Sequence, residues 1–330
     1  MSFQRALAAL PRNHPFRGIT TLFIGISQFT DGDMWAANRT LDTLMRSSAK
    51  QADAFYLCMT LLYLGLATLL QGRMDDALNL CDQAAQHLVG YGDDDLEARI
   101  HLIKGKVCYE RNDLDGALDH LRRGISLRYD PAPFLFEGYP TLAYIHLARG
   151  NAATAQQVME QSIAEWTEAQ VEKRLLWAWT GRQIRAHQVR LWLLIGNIEL
   201  SSAWARDLER HADAAAGSGN GPPTYVREWE QIVLARVYLA ESRARDALAL
   251  LDKLRAQAEN DGRAARVLEI LVLQAVAYDA LGDAPAALMT LQQALALGAL
   301  EGFVRTFVEG GPAIQRLIEV LQAERTQRGK

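Results

Sequence analysis

One pattern occurs twice in the sequence, as LLYLGLATLLQGRMDDALNLCDQA at residues 61–84 and as HLIKGKVCYERNDLDGALDHLRRG at residues 101–124. Both copies place a small residue, a short polar turn and two further small residues at the same spacing. Small residues at fixed distances on both sides of a turn predict two helices that pack closely against each other.

The turn of this pattern recurs along the chain. If its central residue is taken as an anchor, the anchors are Gly32, Gly72, Asn112, Gly150, Gly196, Ser242 and Gly282. Successive anchors lie 40, 40, 38, 46, 46 and 40 residues apart. Glycine and asparagine readily adopt the left-handed conformation that ends a helix, so six of the seven anchors predict a helix end. Ser242 is the exception.

Small side chains flank the anchors at two fixed offsets. Seven residues before the anchors stand Gly25, Gly65, Gly105, Ala143, Val189, Ala235 and Ala275, and five residues after them stand Ala37, Ala77, Ala117, Ala155, Ser201, Ala247 and Ala287. The apolar residues recur at intervals of three and four, which is typical of helices and not of strands. Each anchor therefore predicts one antiparallel helix pair, with the closest approach expected at Gly65 and Gly105.

This order of small, bulky, turn and small residues resembles the tetratricopeptide repeat. The period is near 42 residues, longer than the 34 residues of that repeat, and the usual closing proline is missing, so we expect longer helices. HEAT-type repeats have a similar period, but the close approach expected at Gly65 and Gly105 favours tetratricopeptide packing. The sequence thus predicts an all-α fold, a right-handed α-solenoid of about seven helix pairs.

We expect a single superhelical domain over residues 1–330, with repeats at about 14–299. A C-terminal capping segment, at about 300–325, is expected to cover the apolar face of the last pair. The glycine- and proline-rich segment 217–223 is a possible hinge, although a long loop explains it equally well.

Composition argues against several partners and compartments. A net charge of −4 and a pI near 6.0 give no basic surface for nucleic acid. The most apolar stretch, residues 54–70, contains Thr60, Gly65 and Thr68 and reads as a buried repeat helix and not as a membrane span. The apolar run at the N-terminus is too short for a secretory signal. We therefore expect a cytoplasmic protein without membrane contact.

No residue pattern indicates catalysis. The sequence has no G-x-x-x-x-G-K-[ST], H-E-x-x-H or G-x-S-x-G motif. Its cysteines, Cys58, Cys81 and Cys108, form no C-x-x-C pair and are expected to pack as small hydrophobic residues. We predict no enzyme activity, no catalytic residue, no metal and no cofactor.

Candidate ligand-binding residues lie on the first helices of the central pairs, which usually line the concave surface of a solenoid. Six residues before the anchors stand Lys106, Tyr144, Arg190 and Arg236, and thirteen before them stand Arg99, Gln183 and Trp229. This polar, basic and aromatic strip suits an anionic, hydroxylated or peptide ligand in a concave groove. The alternative is a solvated helix rim with packed aliphatic stems.

A second aromatic and basic cluster consists of Trp177, Trp179 and Trp192 with Arg182 and Arg185. Tryptophans at helical spacing are more typical of a core than of a pocket. We therefore give this cluster less weight than the strip.

Four segments resemble one family. TYVREWEQIVLARVYLA at 224–240 and EGFVRTFVEGGP at 301–312 are similar to the region before the DNA-binding end of MalT-like regulators, the ATP-dependent branch of LuxR-type activators. RALAALPRNHPFRG at 5–18 and LLQGRMDDALNLCDQA at 69–84 are similar to the start of that region. The resemblance covers essentially the whole chain.

The resemblance implies an effector-sensing domain of a transcriptional regulator that lacks its NTPase and helix-turn-helix modules. Its partner would be a small-molecule inducer or a regulatory protein or peptide. The alternative is a stand-alone tetratricopeptide-like scaffold for protein–protein interactions. An upstream P-loop and a downstream helix-turn-helix in the source gene would favour the sensor.

Overall fold

The computed structural model describes residues 3–11, 14, 16–48, 54–90, 92–127, 135–171, 179–215 and 222–328. These ranges contain seventeen helices. They are α1 (Phe3–Ala9), α2 (Phe16–Thr30), α3 (Met34–Ser48), α4 (Ala54–Leu70), α5 (Met74–Leu88), α6 (Asp94–Glu110), α7 (Leu114–Ser126), α8 (Leu135–Ala148), α9 (Ala152–Val171), α10 (Thr180–Leu194), α11 (Ile198–Ala215), α12 (Thr224–Ala240), α13 (Ala244–Asn260), α14 (Ala264–Ala280), α15 (Ala284–Ala299), α16 (Arg305–Val308) and α17 (Gly311–Arg328).

The seven expected helix pairs are confirmed, from α2–α3 to α14–α15, and each pair turns at a predicted anchor. Every anchor has a positive φ, from 61° at Ser242 to 86° at Gly32. In the second pair the Gly72 amide donates to the Leu69 carbonyl (2.9 Å) and the Arg73 amide to the Thr68 carbonyl (3.1 Å). These bonds satisfy the last carbonyls of α4. Ser242 takes the same conformation without being glycine, so the turn geometry, and not the residue type, is what repeats.

The longer period comes from longer helices, as expected. The helices α4, α6, α12, α13 and α14 each have 17 residues. The apolar helix α4 is buried along most of its length, which confirms a repeat helix. In the described part of the chain, no helix has both the length and the apolar character to cross a membrane.

Paired helices approach closely at both expected glycines, and the approach is tighter at Gly105 than at Gly65. A Cβ atom on Gly105 would lie 2.7 Å from Leu121 Cγ and 3.3 Å from the Leu121 backbone nitrogen. A Cβ on Gly65 would lie 3.7 Å from its nearest neighbours, an ordinary contact. The helices therefore also meet at Gly65, but this position leaves room for a methyl group, whereas Gly105 does not.

Gly105→Ala is therefore expected to destabilise the protein by about 1–3 kcal/mol, because the buried Leu121 must move or α6 and α7 must separate. Gly65→Ala is the matched control, and we expect it to be neutral or slightly stabilising, since alanine favours a helix over glycine. Urea denaturation of both variants measures the difference. Equal stability of the two would contradict the close-packing role of Gly105.

The C-terminal segment packs on the last pair. Ile314, Leu317 and Leu321 of α17 are buried in the same cluster as Leu291 of α15. Of the possible hinge at 217–223, only Pro222 and Pro223 lie within the described residues. Its role as a hinge stays a prediction.

The cysteines pack as expected. Cys58 and Cys81 are fully buried, and Cys108 is half-buried. Burial raises the pKa of the Cys81 thiol to about 12. A thiol with so high a pKa is protonated and unreactive at neutral pH.

The first and last pairs meet, which the sequence did not predict. The Met34 amide at the start of α3 donates to the Asp261 carbonyl between α13 and α14 (3.0 Å), and Arg263 Nη1 donates to the Gly32 carbonyl (2.6 Å). The Glu301 carboxylate accepts from the Met74 amide at the start of α5 (2.7 Å). We call these bonds, together with that from the Val304 amide to the Glu110 carbonyl (2.8 Å), the closing contacts. They narrow the expected open groove into a partly enclosed space, which we call the enclosed space.

Candidate functional site

The closing contacts enclose two cavities along the inner wall of the superhelix. Their volumes are about 820 and 690 Å³, openings included. Both are lined by Lys106, Gln183, Tyr225 and Arg266, so they are neighbouring parts of one space. The first helices of the pairs supply most of the lining, as the repeat predicted.

The first cavity is mainly apolar. Its lining includes Phe29, Met34, Tyr63, Leu66, Leu69 and Leu70 from the first two pairs. On its other side stand Glu228 of α12, Arg266 of α14, and Arg263, which directly precedes α14. We call it the apolar cavity.

The second cavity is polar and charged, and we call it the polar cavity. Six of the seven predicted residues line it: Lys106, Tyr144, Gln183, Arg190, Trp229 and Arg236. The repeat register therefore brings residues from α6, α8, α10 and α12 to one place. Their role in binding a ligand stays a prediction.

Arg99, the seventh predicted residue, lies apart from the polar cavity. It is ion-paired with Asp95 one turn earlier in α6 (2.8 Å) and lines a small apolar pocket with Met59, Leu62 and Tyr63. Most of the residues of this pocket come from α4.

Arg190 is the centre of the polar cavity. Its guanidinium carbon lies 4.8 Å from the centre of the Tyr144 ring and 5.2 Å from that of Trp229. The same guanidinium is ion-paired with Glu309, which follows α16. Glu309 also accepts a hydrogen bond from the Tyr109 hydroxyl. The C-terminal segment thus contacts the cavity directly.

Glu269 is held charged by three arginines. Arg236 donates to its carboxylate at 2.9 Å and Arg266 at 3.0 Å. Burial alone would raise the pKa of Glu269, but Arg236, Arg266 and Arg190 outweigh it and lower the pKa to about 2.

Glu110 is the opposite case. Burial raises its pKa, although the Thr306 hydroxyl donates to its carboxylate at 2.9 Å. Burial also raises the pKa of Glu228, against the effect of Arg266 and Arg263. The enclosed space thus holds carboxyl groups with raised pKa values and one with a lowered pKa.

The sequence analysis missed several residues that line the polar cavity or contact its lining. Glu269 stands thirteen residues before Gly282, the register that identified Trp229, so the repeat would have found it. Glu110 and Tyr109 lie near the end of α6, outside both registers, and Glu309 belongs to no repeat. The sequence carries no periodic signal for these three.

The second predicted cluster does not form one site. Trp177 lies outside the described residues. Arg185 stacks over Trp192 at 5.0 Å, and Trp192 packs against the core, as expected for core tryptophans. Arg182 turns instead to Glu230 on α12 (2.7 Å).

The arrangement suits recognition of a ligand by charge and stacking. The arginine guanidinium groups and aromatic faces of the polar cavity suit an anionic group of a ligand. The neighbouring apolar cavity suits an apolar group.

Comparison with known proteins supports the fold. A family described as the MalT-like TPR region matches residues 3–324. No curated protein matches the sequence. A Rap protein complexed with Competence and Sporulation Factor is similar in structure, with a TM-score of 0.66 at 13% identity over 90% of this chain and 78% of that one. NprR in complex with its cognate peptide NprX has a TM-score of 0.54 at 16% identity, over 89% and 82% of the two chains. These likenesses show a tetratricopeptide-like solenoid.

Proposed function

This chain belongs to the MalT-like TPR region family, and on that premise we propose that it is the effector-sensing region of a MalT-like, LuxR-type transcriptional regulator. The effector is a small molecule or a short peptide that occupies the enclosed space. The region binds its effector and catalyses no reaction. Its place in the cell is the cytoplasm, where such a regulator meets its effector.

The observation that carries the proposal is the enclosed space itself. Ligand sites are concave, largely preformed and lined by apolar and aromatic side chains with a few polar groups, and the lining of the two cavities has this character. The alternative, a stand-alone scaffold, needs an inner face open to a partner protein. The closing contacts join the start of α3 to the α13–α14 turn and so narrow the inner space, which favours a small effector.

NprR, which has the same fold, was solved with its cognate peptide. A short peptide therefore belongs among the candidate effectors, beside sugars and metabolites. The Glu309 contact to Arg190 gives the C-terminal segment a direct path to the cavity. Such a path is what a sensor needs in order to report occupancy.

We expect a thermal-shift screen of sugars, metabolites and short peptides to find a ligand that raises the melting temperature, since a ligand of the folded state stabilises it. Leu66→Trp, which fills the apolar cavity, should abolish the shift. Leu200→Trp adds the same bulk on the exposed face of α11 and should preserve it.

A ligand whose effect survives Leu66→Trp binds elsewhere and would contradict an internal site. In the full-length regulator, Leu66→Trp should also abolish transcription in response to the ligand. Binding without any such response would favour the scaffold.

A further inference from the structure

Three buried N–H donors around the polar cavity have no hydrogen-bond acceptor among the described residues. They are Nε1 of Trp229, Nε of Arg190 and Nε of Arg236. Trp229 is only 3% exposed. A buried donor without an acceptor is unfavourable, and such donors in a binding cavity indicate a ligand that supplies the acceptor.

Positive charge exceeds negative charge around the enclosed space. The two cavities are lined by five basic side chains, Lys106, Arg190, Arg236, Arg263 and Arg266, and by three carboxyl groups, Glu110, Glu228 and Glu269. Glu309 adds a fourth carboxylate from behind Arg190. The excess contrasts with the net charge of −4 for the whole chain. Asp261 is paired with Arg263 and Arg305 with Glu309, so with these two included six basic groups face five carboxyl groups. A surplus of one positive charge suits one carboxylate better than a polyphosphate.

The neighbouring apolar cavity indicates that the ligand also has an apolar part. Phe29, Leu66, Leu69 and Leu70 form its wall, and Lys106 and Arg266 stand where it meets the polar cavity. A ligand that fills both cavities carries a negative group at one end and an apolar group at the other.

We propose that the enclosed space binds an amphipathic carboxylate. The carboxylate lies beside Trp229, Arg190 and Arg236, and the apolar part of the ligand lies against Phe29, Leu66 and Leu69. This inference rests on the proposed function, since it assigns a chemical class to the effector of the same site. The carboxylate belongs either to the free C-terminus of an apolar peptide or to a small carboxylic acid.

Glu309 gives the proposal a second consequence. It already neutralises Arg190, so it competes electrostatically with an incoming carboxylate. Replacement of Glu309 by glutamine, its neutral isostere, should leave the positive charge of Arg190 less neutralised, so that it attracts the carboxylate of a ligand more strongly. Binding should then become tighter, a result that damage to the fold does not produce.

The experiment measures binding to the whole chain by calorimetry. One pair of probes is octanoate and octanamide. The other is N-acetyl-Leu-Phe with a free C-terminus and the same peptide with a C-terminal amide. We expect at least one acid to bind at least tenfold more tightly than its amide. The pair that shows this preference identifies the source of the carboxylate.

Three variants test the placement of the carboxylate. Trp229→Phe keeps an aromatic face but removes the N–H with the five-membered part of the indole, so the affinity for the preferred acid should fall about tenfold and that for its amide should fall less. Glu309→Gln should raise the affinity for the acid about tenfold. Trp192→Phe, at a half-buried tryptophan outside the cavities, is the matched control and should change neither affinity.

The proposal is overturned if acid and amide bind alike, if neither acid binds, or if Glu309→Gln weakens binding of the acid. The proposed function has a separate test. A neutral ligand whose binding is blocked by Leu66→Trp would keep the internal effector site and remove only the carboxylate.

Discussion

Arg263→Ala is expected to destabilise the protein by about 3–5 kcal/mol, because it removes one partner of a buried ion pair. Arg263 is 1% exposed and donates to Glu228 at 2.9 Å, to Asp261 at 2.8 Å and to the Gly32 carbonyl at 2.6 Å. Its loss leaves Glu228 buried, with Arg266 at 3.7 Å. It also removes a closing contact between α2–α3 and α14. Urea denaturation should show the loss, and small-angle scattering should show a larger radius of gyration.

Arg243 provides the matched control. It precedes α13 as Arg263 precedes α14, but it is exposed and pairs with Asp246 and Glu241 at the surface. Surface ion pairs contribute little, so Arg243→Ala should cost less than about 1 kcal/mol. If the two variants lose the same stability, burial of Arg263 is not what holds the ends together.

Glu269→Gln is expected to cost about 3 kcal/mol at pH 7, since the pKa of Glu269 falls from 4.5 to about 2 in the folded protein. A carboxyl group whose pKa is lower in the folded state than in the unfolded state stabilises the protein at pH values above its unfolded-state pKa. That stability is lost as the pH falls through the folded pKa. The difference between wild type and Glu269→Gln should therefore be full at neutral pH and should shrink between about pH 4.5 and pH 2. Urea denaturation across this range measures it.

Glu110→Gln is the counterpart with the opposite sign. The pKa of Glu110 is raised, so its charged form is unfavourable at neutral pH, and the glutamine can still accept from Thr306. We expect this variant to be neutral or more stable at pH 7. Equal losses for Glu269→Gln and Glu110→Gln would show that the arginines do not distinguish the two carboxylates.

The helix pairs follow from local chemistry and could be predicted. A left-handed residue ends each first helix, and Gly105 beside Leu121 lets two helices meet closely. The inner-wall residues follow as well, since Lys106, Arg190 and Arg236 share one register with Tyr144. Periodicity determines which face a side chain occupies, and that is enough to place these four.

The enclosure could not be predicted in the same way. Arg263 contacts Gly32 across more than two hundred residues, and Glu301 contacts Met74 across a similar distance. These contacts depend on the accumulated rotation of successive pairs, a small angle per pair that no single turn encodes. Arg99 shows the same limit of periodicity. It occupies the predicted position of the repeat, but it lies among residues of α4 and not in the polar cavity.

The bond from the Met74 amide to Glu301 has a consequence for how the molecule comes apart. In an open array each unit contacts only its neighbours, so melting begins at an end and spreads stepwise. Here the start of α5 depends on a residue that follows α15. Fraying at the C-terminus therefore removes support near the N-terminus, and both ends are expected to lose hydrogen-exchange protection together, as one cooperative unit.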